Sequence, residues 1–268
     1  MKSLTDLLAG AARVIGTWTQ IGAPEVIDIL GATGFDFTIL DAEHGSFGMD
    51  AIENLVRACD AAGVVPIVRI PDASQSHITR ALDAGAQAVV VPGIRSAAEA
   101  AAAIDGGRFA PAGRRGACPC VRAGDHWIDD WPAYSAARER ETGVIVLAET
   151  PGALQEIDPI CALPDLRALL VGPFDLAVAM GYGGNTRVPA IESALKAMVA
   201  SAAGHKVPVI MPIFSPDLSQ SEKQLNDWTE LGVRMFTIGT DKILLHSQAR
   251  RFVSGMRASW RAAARASS

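Results

Sequence analysis

The sequence predicts a single α/β domain over residues 1–268, built as a (β/α)8 TIM barrel. Three observations predict it. Apolar, β-branched runs of strand length alternate with helix-period segments from end to end. Eight such repeats in a 268-residue chain match the count and size of that barrel. The first strand-to-helix turn, TWTQIGAP, has no GxGxxG, which weighs against a doubly wound dinucleotide fold.

The elements follow in order. Run 14–18 (VIGTW) precedes a helical stretch at 24–32 that stops at Gly34, and run 35–40 (FDFTIL) precedes 50–61, stopping at Gly63. Run 64–70 (VVPIVRI) precedes 76–84, stopping at Gly85, and run 88–92 (AVVVP) precedes 97–104. Run 144–148 (VIVLA) precedes 154–162, and run 168–172 (ALLVG) precedes 190–203, stopping at Gly204. Run 207–213 (VPVIMPI) precedes 219–231, stopping at Gly232, and run 235–238 (MFTI) precedes 242–264. Each run is nearly all apolar, as strands buried on both faces of a parallel sheet must be. Glycine is the usual left-handed stop before the next strand. Residues 105–142 form one abnormally long connection, whose Trp, Tyr and Arg content predicts order and a path towards a site or a neighbouring subunit.

Composition narrows the function. The chain is 49% hydrophobic and 20% charged with net charge −5, so a nucleic-acid partner, which needs surplus Lys and Arg, is not expected. No apolar run reaches the roughly 20 residues that span a bilayer, so no membrane partner is expected. Thr5, Asp6 and Arg13 interrupt the opening segment, which reads as mature protein rather than a secretion signal. Four Cys imply free thiols in a reducing, cytoplasmic setting.

Barrel enzymes place their chemistry at the C-terminal ends of the strands. There the sequence reads Asp41-Ala-Glu43-His44-Gly45 after the second run, Arg69 in the third, Glu149-Thr150 after the fifth and Gly172-Pro173-Phe174-Asp175 after the sixth. An acid after a strand is often only a helix N-cap. Capping does not explain Arg69 or His44 beside carboxylates. Glu149 and Asp175 on adjacent strand ends make a hard oxygen site for Mg2+ or Mn2+, with Co2+ admissible. Cys118-Pro-Cys120 is a CxC and reads as loop packing. No Lys lies between residues 3 and 195, and Lys242 reads as a first-turn helix residue, so the rim lacks a Schiff-base nucleophile. A metal ion is then the expected stabiliser of carbanion charge.

The segments LDAEHG (40–45), VRIP (68–71), LDAGAQAVVVP (82–92), GRRG (113–116), AET (148–150), GPFDLA (172–177) and IGTD (238–241) resemble the HpcH/HpaI aldolases, class II metal-dependent pyruvate aldolases of the phosphoenolpyruvate/pyruvate barrel superfamily. The resemblance implies a lyase that reversibly cleaves a 4-hydroxy-2-oxo acid to pyruvate and an aldehyde. It implies Glu149 and Asp175 as metal ligands, and the amides of Phe174 and Asp175, beside Gly172, as holders of the pyruvate carboxylate. Arg69 would bind the keto oxygen, His44 oriented by Asp41 would be the acid/base, and Glu43 would organise the site from behind. Trp18 and segment 211–213 would shape the aldehyde end. Two positions depart from the pattern: Leu147 stands where the family commonly has Gln, and Ala177 where it has Ser.

The resemblance also implies a homohexamer, a trimer of dimers, with the C-terminal helix packed on or exchanged with a neighbouring subunit. Other readings of the same rim are an oxaloacetate decarboxylase, an acyl-CoA lyase such as a citramalyl-CoA lyase, and a non-catalytic keto-acid binder. Arg114, Arg115 and Arg122 read as salt bridges that order the long connection. His126 reads as a surface residue, and His77, His205 and His246 have no assigned role.

Overall fold

A computed structural model describes residues 3–266 of the chain. Residues 1, 2, 267 and 268, which belong to the expected single domain, lie outside the described residues. Eight parallel strands close into one barrel in sequence order: β1 Val14–Thr19, β2 Phe37–Asp41, β3 Val65–Arg69, β4 Ala88–Val91, β5 Gly143–Ala148, β6 Leu166–Val171, β7 Val209–Ile213 and β8 Met235–Thr240. The helices are α1 Leu4–Ala9, α2 Pro24–Thr33, α3 Ile52–Ala62, α4 Gln75–Asp83, α5 Ala97–Gly106, α6 Trp131–Glu141, α7 Pro151–Gln155, α8 Ile157–Cys161, α9 Pro173–Ala179, α10 Pro189–Gly204, α11 Leu218–Glu230 and α12 Asp241–Ala266. The (β/α)8 barrel expected from the sequence is the observed fold.

Strand alternation sorts the side chains into two cores. Val14, Phe37, Ile39, Val65, Ile67, Ala88, Val90, Ile145, Ala168, Leu170, Ile210 and Met235 fill the barrel interior. Leu40, Val68, Val89, Val146, Leu169 and Phe236 face the helices. Gly16 makes room in the interior, because a Cβ there would lie 2.4 Å from the buried Phe37 ring. Leu4 of α1 packs under the interior core, and its amide donates to Gln87 Oε1 at 2.6 Å. Helix α1 rests on a capping box between Ser3 and Asp6.

Several expectations change in detail. The helix expected at 154–162 is two short helices, α7 and α8. Pro159 has no N–H to give the Gln155 carbonyl, so one continuous helix cannot form there. Gly34, Gly63, Gly85 and Gly232 take the left-handed conformation, but Gly204 ends α10 as a helical residue and Lys206 takes the positive φ of 60°. The connection 105–142 contains α6 and packs against its own barrel. Arg115 pairs with Asp83 of α4 at 2.7 Å, Arg122 pairs with Asp60 of α3, and Arg114 pairs with Asp105. Phe109, Trp131 and Tyr134 stack beneath it, with Phe109–Trp131 centroids 5.0 Å apart. The arginines therefore order the segment, as the sequence reading held.

Cys59, Cys118, Cys120 and Cys161 are free thiols. Among the described residues no helix is long and apolar enough to cross a membrane. Helix α12 leaves Leu245, Phe252, Val253, Met256 and Trp260 exposed on the single chain.

Candidate active site

The period of two along each strand also builds the site. Trp18, Asp41, Arg69, Leu147 and Pro212 continue the inward-facing series of their strands. Glu149 and Gly172 continue it one step past the ends of β5 and β6. Above this layer opens a cavity of about 290 Å3. Its wall includes His44, Arg69, Glu149 and Asp175 together with Trp18, Leu147, Gly172 and Phe174. Eight residues singled out in the sequence thus meet at one cavity at the C-terminal mouth. Among the described residues lining it there is no lysine.

Asp41 lies fully buried beneath the cavity and does not line it. Strand register places Asp41 beside Arg69, and the carboxylate accepts from Arg69 Nε at 2.8 Å and from Nη2 at 2.6 Å. Gln20 Nε2 donates to the same carboxylate at 2.8 Å, and the main-chain amides of Glu43 and His44 donate at 3.2 and 3.0 Å. Burial pushes the Asp41 pKa up, but the hydrogen bonds and charge of Arg69, with Gln20 and the His44 amide, hold it below the ordinary carboxylate value. The sequence assigns Asp41 to orient His44, and the contact present is with the His44 main-chain amide. Asp41 holds the His44 backbone, and its side-chain partner is Arg69, because cross-strand neighbours at one register level meet before a residue three places along the loop.

Arg69 is held on further sides. Its Nη1 lies 3.2 Å from Glu43 Oε2, and its guanidinium carbon lies 4.6 Å from the Trp18 ring centre. Trp18 is fixed in turn by its Nε1 donating to Thr237 Oγ1 at 3.0 Å. A guanidinium has five N–H groups, and the Asp41 and Glu43 contacts engage three, which leaves two for a ligand. Glu43 thus touches Arg69, and burial raises its pKa against the lowering charges of Arg69 and His44. It also lines an adjoining cavity of about 590 Å3, together with Glu149, Arg95 and Arg114.

Glu149 follows β5 directly, and its Oε1 accepts the Gly93 amide at 2.8 Å. Gly93 has a left-handed φ of 68°, which turns that N–H into the site. Gly172 leaves space for Glu149, since a Cβ on it would lie 2.4 Å from Glu149 Cβ. Burial pushes the Glu149 pKa up to about 7. The Gly93 amide opposes this, and the charges of Asp175 and Glu43 reinforce it. Asp175 sits in the first turn of α9, whose first main-chain bond is Leu176 N–H to the Gly172 carbonyl. The amides of Phe174 and Asp175 precede that bond and have no acceptor within the helix.

Two carboxylates on one cavity wall suit a hard divalent cation. Among the described residues no group of three or more His, Cys, Asp or Glu has metal-holding geometry. Glu149 and Asp175 would therefore form part of an open shell, the rest supplied by water and a chelating ligand. Of segment 211–213, Pro212 lines the cavity, while Met211 and Ile213 pack among the helix-facing residues. The sequence reading missed Gln20, Gly93 and Phe214. Gln20 and Phe214 lie two residues beyond Trp18 and Pro212, so alternation alone pointed them inward. Gly93 left no signal beyond being a glycine after a strand.

The family model described as HpcH/HpaI aldolase/citrate lyase matches residues 14–246. A 5-keto-4-deoxy-D-glucarate aldolase of Salmonella arizonae is 29% identical over 236 residues, covering 87% of this chain and 88% of the relative. The crystal structure of an HpcH/HpaI aldolase/citrate lyase family protein from Burkholderia cenocepacia J2315 superposes with a TM-score of 0.86 at 28% identity, covering 95% and 98% of the two chains. An HpcH/HpaI aldolase from Desulfitobacterium hafniense DCB-2 gives a TM-score of 0.88 at 25% identity, covering 96% and 97%.

Proposed function

The chain belongs to the HpcH/HpaI aldolase/citrate lyase family, and from that premise we propose that it is a carbon–carbon lyase that splits a 4-hydroxy-2-oxo acid into pyruvate and an aldehyde, and joins them in reverse. The observation that carries this reading is the meeting of Glu149, Asp175, Arg69 and His44 at one cavity that no lysine lines.

Glu149 and Asp175 would hold a divalent ion, Mg2+ or Mn2+, through their oxygens. When bound, that ion supplies Lewis-acid stabilisation of the negative oxygen of a pyruvate enolate. Arg69 aims its remaining N–H groups at the same oxygen. It is already locked by Asp41, Glu43 and Trp18, so little reorganisation is needed as charge develops. The Phe174 and Asp175 amides hold the carboxylate of the oxo acid. His44 takes the proton from the 4-hydroxyl group in cleavage and returns it in addition, a task suited to an imidazole near neutral pH. The exposed apolar side chains of α12 fit a homohexamer in which this helix packs on a neighbouring subunit.

The test is to incubate the protein with Mg2+ or Mn2+, pyruvate and a panel of small aldehydes, and to follow 4-hydroxy-2-oxo acid formation. Metal-dependent product that EDTA abolishes is the expected result. Oxaloacetate decarboxylation with no aldol product would move the reaction to the decarboxylase class.

A further inference from the structure

The reaction cavity has both charged and apolar lining, and the apolar lining names the aldehyde. His44, Arg69, Glu149 and Asp175 form one part of its wall. Trp18, Leu147, Phe174, Pro212 and Phe214 give it apolar lining, the Trp18 ring lying against the Arg69 guanidinium. Leu147 stands two residues before Glu149 on the inward face of β5, so it sets an apolar surface beneath that carboxylate. Phe174 and Phe214 stand at the mouth, 56% and 39% exposed. The Phe174 ring is set against Gly184, where a Cβ would lie 2.5 Å from it.

The charges of the cavity are already assigned. Arg69 is its one arginine, and both Asp41 and Glu43 pair with it. A second carboxylate, on the aldehyde, would meet no unclaimed cation in this cavity and would lie near acids. The polar side chains beside this apolar lining are each tied to the protein by one bond, and none carries a charge. The Gln20 amide donates to Asp41, Thr240 Oγ1 accepts from the Ile243 amide, and the Trp18 N–H is given to Thr237.

The geometry points to an uncharged, apolar aldehyde, aliphatic or aromatic, as the acceptor of this enzyme, with Phe214 and Trp18 as the residues that select it. The assignment rests on the lyase reading above and deepens it. It separates this chain from a relative whose name specifies a glucarate-derived dicarboxylate.

The experiment compares kcat/KM for addition of pyruvate to butanal, benzaldehyde, succinic semialdehyde and glyceraldehyde, with Mn2+ present. Butanal and succinic semialdehyde have the same chain length and differ by the terminal carboxylate. The expected result is at least a tenfold preference for butanal and benzaldehyde over succinic semialdehyde, and a Phe214→Arg substitution that lowers this ratio at least tenfold. A preference for succinic semialdehyde or glyceraldehyde overturns the assignment, and so does a ratio unmoved by Phe214→Arg. Metal-dependent deuterium exchange at the pyruvate methyl, measured without aldehyde, keeps the two readings apart. Exchange with the reversed preference sinks only the acceptor assignment, whereas absence of exchange together with absence of all addition sinks the lyase reading on which it rests.

Discussion

The carboxylate of Asp41 grips the guanidinium of Arg69 through two parallel hydrogen bonds, Nε to Oδ1 at 2.8 Å and Nη2 to Oδ2 at 2.6 Å. Asp41 is fully buried and Arg69 nearly so. Among the described residues this fork fixes the one arginine lining the cavity, and it follows from adjacent positions on β2 and β3. Bidentate pairing of this kind gives direction as well as charge.

Removing one partner of such a pair leaves an uncompensated buried charge. Asp41→Ala is expected to lower unfolding free energy by about 3 kcal/mol, the lower end for a broken buried pair because Glu43 remains beside Arg69. Urea denaturation measures it. The Asp41 pKa is depressed in the fold, so its stabilisation is present above the ordinary carboxylate pKa of 3.8 and is lost as pH falls below that through the folded value. Wild type should show this acid-side loss, and Asp41→Asn should lack that part of it.

Arg69→Lys keeps the charge and removes the fork. A lysine cannot pair with Asp41 through two parallel N–H bonds and still direct others at the enolate oxygen. The expected outcome is a fall in kcat of about 10²–10³-fold, the usual cost of losing one preorganised donor to a developing oxyanion. Steady-state kinetics with the parent side by side checks it. A loss below threefold would remove Arg69 from the chemistry.

Glu149 sets a pH dependence for metal binding. Its carboxylate, raised to about 7 by burial above all, carries a proton below that pH, and the proton competes with the ion. Apparent affinity for Mn2+ should weaken by about tenfold per unit as pH falls below about 7, and level off above it. Glu149→Gln should bind weakly at every pH. Calorimetric titration across pH 5.5–8.5 reads both.

Gly172→Ala tests packing without removing a charge. The added Cβ would meet Glu149 Cβ at 2.4 Å, so β6 or Glu149 must shift. Metal affinity should fall at least tenfold while the far-ultraviolet spectrum stays that of the parent. Gly16→Ala tests the barrel interior instead, where the new Cβ would meet the Phe37 ring at 2.4 Å. There the expected cost is about 1–3 kcal/mol of stability, from overpacking.

The barrel was legible because each strand is buried on both faces and therefore reads as an unbroken apolar run. Reading the residue at each strand end then found Asp41, Arg69, Glu149 and Gly172, since alternation carries a strand's inward face up to its end. What escaped depends on contacts between segments. The Asp41–Arg69 fork needs the register of β2 against β3, which neither strand encodes alone. Helix α6 was passed over because it buries none of its residues and so has no apolar face to read, although Asp130 caps it and Pro132 opens it. Helix α9 has seven residues and was read as a motif, GPFDLA, rather than as a turn of helix. Phe214 lay beyond the expected strand, and its place on the cavity wall comes from the alternation that put Pro212 inside.

Deuterium exchange at the pyruvate methyl group, followed by proton NMR, tests the central claim most directly, because it needs only the metal, Arg69 and a base, with no aldehyde. The account predicts exchange with Mg2+ or Mn2+, none after EDTA, recovery when the ion is restored, and at least a hundredfold loss in Glu149→Gln and Asp175→Asn. Exchange that proceeds undiminished in chelator, or in either variant, would contradict it.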